Sequence, residues 1–235
     1  MKIISLLVSI LFIHINLIKS DTTIIKTDKR QVGTYDAIAV SGSYRVTLVE
    51  GSEGEITLHG AKDDLKLTEI FIKNNVLIIR SETTSWYKKW NVGKVEVTVP
   101  VEEISKLTLS GSGRIHNDFN LKVAKFKSVV SGSGNIKINL STALFDGIIS
   151  GSGSIDIQGD TNTSNVKITG SGNFDGERLA SGNTEVVITG SGSAAVHAEN
   201  AIDVVITGSG NVRCYGNPTQ QNSRVTGSGK MSIIR

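Results

Sequence analysis

The sequence predicts an all-β chain folded as a single-stranded β-helix: a right-handed β-solenoid with an irregular β region capping its N-terminal end. Three observations carry this. Gly-Ser-Gly recurs seven times, starting at Gly111, Gly132, Gly151, Gly170, Gly190, Gly208 and Gly227, with steps of 18 to 21 residues. Apolar and polar residues alternate on both sides of each triplet, the period of a strand with one buried face. No stretch sustains a 3.6-residue apolar period, and 25 glycines against two prolines suit strands joined by tight bends.

The chain divides in order. Residues 1–20 read as a signal peptide: Lys2, an apolar run from Ile3 to Ile18, then Lys19 and Ser20. The run is interrupted by Ser5, Ser9, His14 and Asn16 and falls short of the ~20 apolar residues of a spanning helix. No later stretch is apolar enough to cross a bilayer, so the mature chain is expected to lack a transmembrane segment. It is expected to be exported to the periplasm, outer surface or medium. Removing residues 1–20 leaves 23 basic against 22 acidic side chains, a net charge of +1. That balance argues against nucleic acid as a partner. Cys214 is the only cysteine, so no intrachain disulfide forms and stability must come from the core.

Residues 21–35 form a lead-in, and residues 36–105 an irregular β part. The latter opens with Ile38, Val40, Gly42, Tyr44, Val46 and Leu48 on one parity, with Ser41-Gly42-Ser43 in place and Tyr44 where a second glycine would stand. Strand-like runs follow at 55–59, 65–73, 76–80 and 94–99. This part is expected to close one end of the coil, where an open end would expose a pairing edge.

Residues 106–235 are the regular rungs. Around each triplet the alternation runs through both glycines, as in Val204, Ile206, Gly208, Gly210, Val212 and Cys214. By this count Gly111, Gly113, Gly132, Gly134, Gly151, Gly153, Gly170, Gly172, Gly190, Gly192, Gly208, Gly210, Gly227 and Gly229 all share the inward parity. They act as bend glycines, letting the strand turn or opposite walls approach. A period of about 19 residues suits one rung of a solenoid, whose rungs bury their apolar faces only when stacked.

The segments Ser131–Ile136 and Ser150–Ile155, with Tyr35–Gly42 and Val95–Pro100, make the chain resemble the putative auto-transporter adhesin, head GIN domain family. The resemblance covers roughly residues 35–234. It implies an exported β-helical solenoid with an adhesive role, and brings no catalytic residues with it.

The outward residues beside the glycines form polar columns: Ser110 to Thr226, Ser112 to Ser228, and Arg114 to Lys230. These could meet polysaccharide, although Ser and Asn are also the ordinary chemistry of tight bends. One step further run His116, Lys137, Asp156, Asp175, Ala195, Arg213 and Ser232. Asp156 and Asp175 fall on adjacent rungs, and two close carboxylates can act as acid and base in a pectinase-like β-helix. Lys137 beside them favours plain surface charge.

Trp86, Tyr87 and Trp90, flanked by lysines, are the candidate contact residues for a sugar or protein partner. Cys214 shares the inward parity and reads as a buried, inert thiol. No histidine or cysteine has metal-ligand spacing, so neither metal nor cofactor is expected. The reading is a non-enzymatic exported solenoid whose surface meets cell-surface glycans or proteins. A polysaccharide-active enzyme and a self-assembling structural unit are its alternatives.

Overall fold

The computed structural model describes residues 24–82 and 94–234. Residues 1–20, read above as a signal peptide, and Trp86–Trp90 lie outside them. In chain order, β1 (Ile25–Gln31) leads into β2 (Ala37–Gly42) and β3 (Arg45–Glu50), which make the first turn of the coil. Next come β4 (Glu55–Ala61), the short helix α1 (Lys62–Lys66), β5 (Thr68–Lys73), β6 (Val76–Ser81) and β7 (Glu96–Val101). The coil then resumes with β8 (Lys106–Gly111), β9 (Arg114–Asn117), β10 (Leu121–Gly132), β11 (Asn135–Gly151), β12 (Ser154–Gly170) and β13 (Asn173–Gly176). It continues through β14 (Leu179–Gly190), β15 (Ser193–His197), β16 (Ala201–Gly208), β17 (Asn211–Tyr215), β18 (Gln220–Gly227) and β19 (Lys230–Ile234).

The result is a β-solenoid of about seven turns. Strands preceding the glycine triplets stack in parallel as one face. Their inward residues register as Val40, Leu109, Val130, Ile149, Ile168, Ile188, Ile206 and Val225. Strands following the triplets form a second face, with Val46, Ile115, Ile136, Ile155, Phe174, Ala194, Val212 and Met231 in register. Apart from Val225 and Met231 in the last turn, every one of these side chains is buried. Each buried Val or Ile contributes at most about 1.5–3 kcal/mol, and the columns make one continuous core.

Larger residues are accommodated by glycines beside them. The Phe145 and Phe174 rings stack with centroids 5.9 Å apart. A Cβ on Gly147 would stand 3.0 Å from the Phe145 ring, and one on Gly176 would stand 2.6 Å from the Phe174 ring. The coil thus exchanges side-chain volume between columns and keeps its density.

The two glycines of a triplet occupy different environments, where the parity count placed both inside. The first lies at the surface, half-buried or exposed, and the second is buried in every turn except the last. The physical reason is the corner itself. Gly132 has φ +111°, which breaks the pleat and turns the chain before alternation resumes. A Cβ there would lie 2.8 Å from the carbonyl oxygen of Gly111 in the turn below. Hydrogen bonding continues around the corner: Ser133 N–H donates to Gly111 O at 2.9 Å, and Asn135 N–H to Gly113 O at 3.0 Å. Gly134 then sits under the side chain of Leu109, 2.6 Å from where its Cβ would be. Each later second glycine likewise takes the Val or Ile of the preceding turn, from Val130 over Gly153 to Ile206 over Gly229.

A different bend uses hydroxyls. The parallel ladders skip residues 124, 143, 162 and 182. Beside that skip the buried Thr142, Thr161 and Ser181 each donate to the carbonyl two residues on, at 3.2, 3.0 and 2.9 Å. Local bonding of this kind supports a bend and satisfies the hydroxyl away from water.

The first turn is covered on its free side. β6 pairs in parallel with β2, and β5 pairs antiparallel with β6. β7 pairs in parallel with β3 and antiparallel with β4, which carries β1. Ile56, Leu58, Leu77, Ile79, Val97 and Val99 are fully buried there. The Arg30 guanidinium donates to the carbonyls of Leu65, at 2.7 Å, and Thr68, tying β1 to the end of α1. Tyr44, standing where a second glycine would, is buried with its ring against Gly42.

Candidate functional site

The face built from β8, β10, β11, β12, β14, β16 and β18 carries three outward columns, each residue one rung from the next. Nearest the corner are Ser110, Ser131, Ser150, Thr169, Thr189, Thr207 and Thr226. Two residues earlier are Thr108, Val129, Ile148, Lys167, Val187, Val205 and Arg224. Two earlier again are Lys106, Lys127, Asp146, Asn165, Glu185, Asp203 and Asn222. Neighbouring rungs are ~4.8 Å apart, so residues about 19 apart in sequence become adjacent in a rigid array.

Across the middle of this face lies a groove of about 430 Å3, lined by Lys127, Asp146, Ile148, Asn165, Lys167, Glu185 and Val187, with Gly147 and Val166 below. Asn165 Nδ2 donates to Asp146 Oδ1 at 2.9 Å, which fixes both side chains. Among the described residues Lys127, Lys167, Asp146 and Glu185 form no ion pair. Two positive and two negative groups in the groove give a local net charge of zero.

Sequence reading stopped at the columns flanking the glycines and missed this one. The signal was present: counting three and five residues back from each first glycine gives both columns.

Asp156 and Asp175 are adjacent in register, as expected. Their surroundings are those of surface charge. Asp156 contacts Lys137 Nζ at 3.8 Å and Arg178 Nη2 at 3.4 Å, while Asp175 accepts the Glu177 N–H at 3.3 Å. A nearby polar hollow is lined by Asp118, Asn120, Asn139, Gln158, Gly159 and Arg178. Its amides are committed to the fold: Asn117, itself buried, accepts the Asn139 N–H at 2.7 Å and donates to Asn139 O at 3.2 Å. Gln158 donates to the Asn139 side chain.

Cys214 is fully buried, and burial pushes its thiol up to about 11, so it is protonated and unreactive at neutral pH. Among the described residues no cluster of His, Cys, Asp or Glu has the makings of a metal site. No described helix is long and apolar enough to cross a membrane. Trp86, Tyr87 and Trp90 fall outside the described residues.

Comparison with curated proteins gives no match. Among solved structures, a putative adhesin of Bacteroides fragilis superposes with a TM-score of 0.83 at 19% identity, covering 91% of this chain and 98% of its own. A putative adhesin of Parabacteroides distasonis gives 0.74 at 22% identity, covering 91% and 98%. A putative lipid binding protein of Parabacteroides distasonis gives 0.70 at 19% identity, covering 90% and 97%. At such identities the likeness is one of fold. The family profile matches residues 34–218, most of the sequence, and the chain therefore belongs to the putative auto-transporter adhesin, head GIN domain family.

Proposed function

We propose that this protein is an exported, non-catalytic solenoid that uses its outer surface to hold a cell-surface glycan or protein. The observation that supports this reading most directly is the pre-corner face. It offers a continuous array of hydroxyl, aliphatic and charged columns, and its central groove holds charges that the fold has not paired. Binding surfaces of this kind need rigid presentation, and the stacked rungs supply it. Membership of an adhesin family points the same way.

Export rests on the reading of residues 1–20. Trp86, Tyr87 and Trp90 are a second proposed contact element, on their chemistry alone. The test is a binding screen of the purified chain against a glycan array and against intact cells, with a size measurement in solution alongside. Saturable binding to a glycan or cell-surface component is the expected result. Cleavage of a polysaccharide without retention would overturn the reading.

A further inference from the structure

We propose that the groove on the pre-corner face binds a neutral polysaccharide chain lying along the coil axis. The proposal rests on the binding-surface reading above and names the ligand class and the residues.

The argument begins with charge. Lys127, Asp146, Lys167 and Glu185 cancel within the groove, so it exerts no net field on a polyanion or an anionic membrane. Each is nevertheless free of an ion pair among the described residues, so each has hydrogen-bonding capacity to offer. Carboxylates accept from hydroxyls, ammonium groups donate to them, and the Asn165 amide does both.

Asn165 also holds the Asp146 carboxylate in place, and Asp146 and Glu185 flank Asn165 on the rungs either side. Ile148 and Val187 lie in the same two rungs and flank Lys167. They are half-buried and outward, giving an aliphatic floor for the C–H face of a sugar ring. Asp146 with Ile148 and Glu185 with Val187 stand two rungs apart, ~9.6 Å, close to the advance of two sugar units in an extended polysaccharide. A chain running along the axis therefore meets a carboxylate beside an aliphatic side chain on alternate rungs, with Asn165 and Lys167 between them. A peptide strand would instead seek a sheet edge, where unpaired backbone groups are available, and this groove lies in the middle of a face.

The experiment measures retention of the full chain on immobilised dextran, mannan, laminarin and xylan. Alginate, dextran sulfate and phosphatidylglycerol vesicles serve as anionic probes. At least one neutral polysaccharide should retain the protein, with little dependence on salt. Asp146→Ala with Glu185→Ala should weaken that binding by about tenfold or more, since each removes hydrogen bonds to a charged group. Asp156→Ala, outside the groove, should leave it unchanged. Asp146→Asn with Glu185→Gln, which keeps the shape, guards against a folding defect and should weaken binding in the same direction.

Equal retention of the groove variants would overturn the site while leaving the surface reading standing. Retention only on anionic probes, lost in salt, would overturn the ligand class. A protein that binds cells but none of these polysaccharides would do the same. Binding to nothing in any arm would remove the parent reading as well.

Discussion

Gly132 and Gly134 differ by two positions and should respond differently to the same substitution. Gly134→Ala places a methyl 2.6 Å from Leu109 Cδ2 and 2.9 Å from Leu109 Cγ, with the nearest backbone atom, Gly113 O, at 3.0 Å. The conflict is chiefly with a side chain, so overpacking of about 1–3 kcal/mol is expected. Leu109→Ala alone should cost about 2–5 kcal/mol as a cavity. Combined, the new methyl enters the space that the leucine vacates. The double variant should then be more stable than the sum of the two losses by about 1 kcal/mol or more.

Gly132→Ala meets a different obstacle. Its φ of +111° is strained for any L side chain, at about 1–3 kcal/mol. Its methyl also approaches Gly111 O, which accepts the Ser133 N–H. Nothing done to Leu109 relieves either effect, so Gly132→Ala with Leu109→Ala should be additive within about 0.5 kcal/mol. Urea unfolding followed by circular dichroism gives both cycles. Equal coupling in the two, or none for Gly134 with Leu109, would refute the two-environment account of the triplet.

Phe145→Ala should cost about 3–5 kcal/mol, because the ring is fully buried and stacked on Phe174; a thermal shift within error of wild type would contradict that packing. Glu53 has a carboxyl raised above its ordinary 4.5 by burial, with nearby Glu102 and Asp36 adding to the shift, despite accepting the Tyr35 N–H at 2.7 Å. The folded state thus holds this proton more tightly than the unfolded chain. The contribution is complete below pH 4.5 and is lost as pH rises through the folded value. Glu53→Gln keeps the acceptor and should flatten that decline in a series of melts from pH 4 to about 7; an unchanged pH slope would rule it out. Trp86 and Trp90 hold all the tryptophan of the chain, so emission reports on that segment alone. If it is a contact element, a ligand found in the glycan screen should shift the spectrum, and an unmoved spectrum at saturation would exclude it.

The coil was legible because its signal is periodic. Glycine spacing gave the turn, and period-2 alternation gave the inward columns of Val130, Ile149 and Ile168. What alternation could not show is that a residue with positive φ resets the count, which is why Gly132 lies outside and Gly134 inside. The hydroxyl bend at Thr142, Thr161 and Ser181 has no recurring glycine to announce it, since only Gly182 among its skipped positions is one, and its residues read as ordinary strand. The groove was harder still. Asp146, Asn165 and Glu185 are 19 and 20 residues apart, and their meeting depends on rung register that no local window contains. Asp156 and Asp175 were found by the same counting, but Arg178, which engages Asp156, comes from the next rung beyond a bend.

The aliphatic and charged columns of the groove do not carry equal weight. Val129, Ile148, Val187 and Val205 point outward, yet β-branched residues favour strands for reasons of fit to a pleated surface. A fold with no ligand would tolerate them. The charged residues are the ones that supply hydrogen-bonding capacity. Among the described carboxylates of residues 106–234 only Asp156 forms an ion pair, with Lys137 and Arg178, whereas Asp146 is held by the Asn165 amide. Lys127 stands one rung from Asp146, and Lys167 one rung from the level of Glu185, yet no ion pair forms. An exposed pair contributes only about 0–1 kcal/mol, so leaving these groups apart costs the fold little. A ligand that bonds to all of them gains considerably more, because the groups are already placed. For that reason the carboxylate variants, and not changes to the aliphatic floor, decide whether the groove is a site.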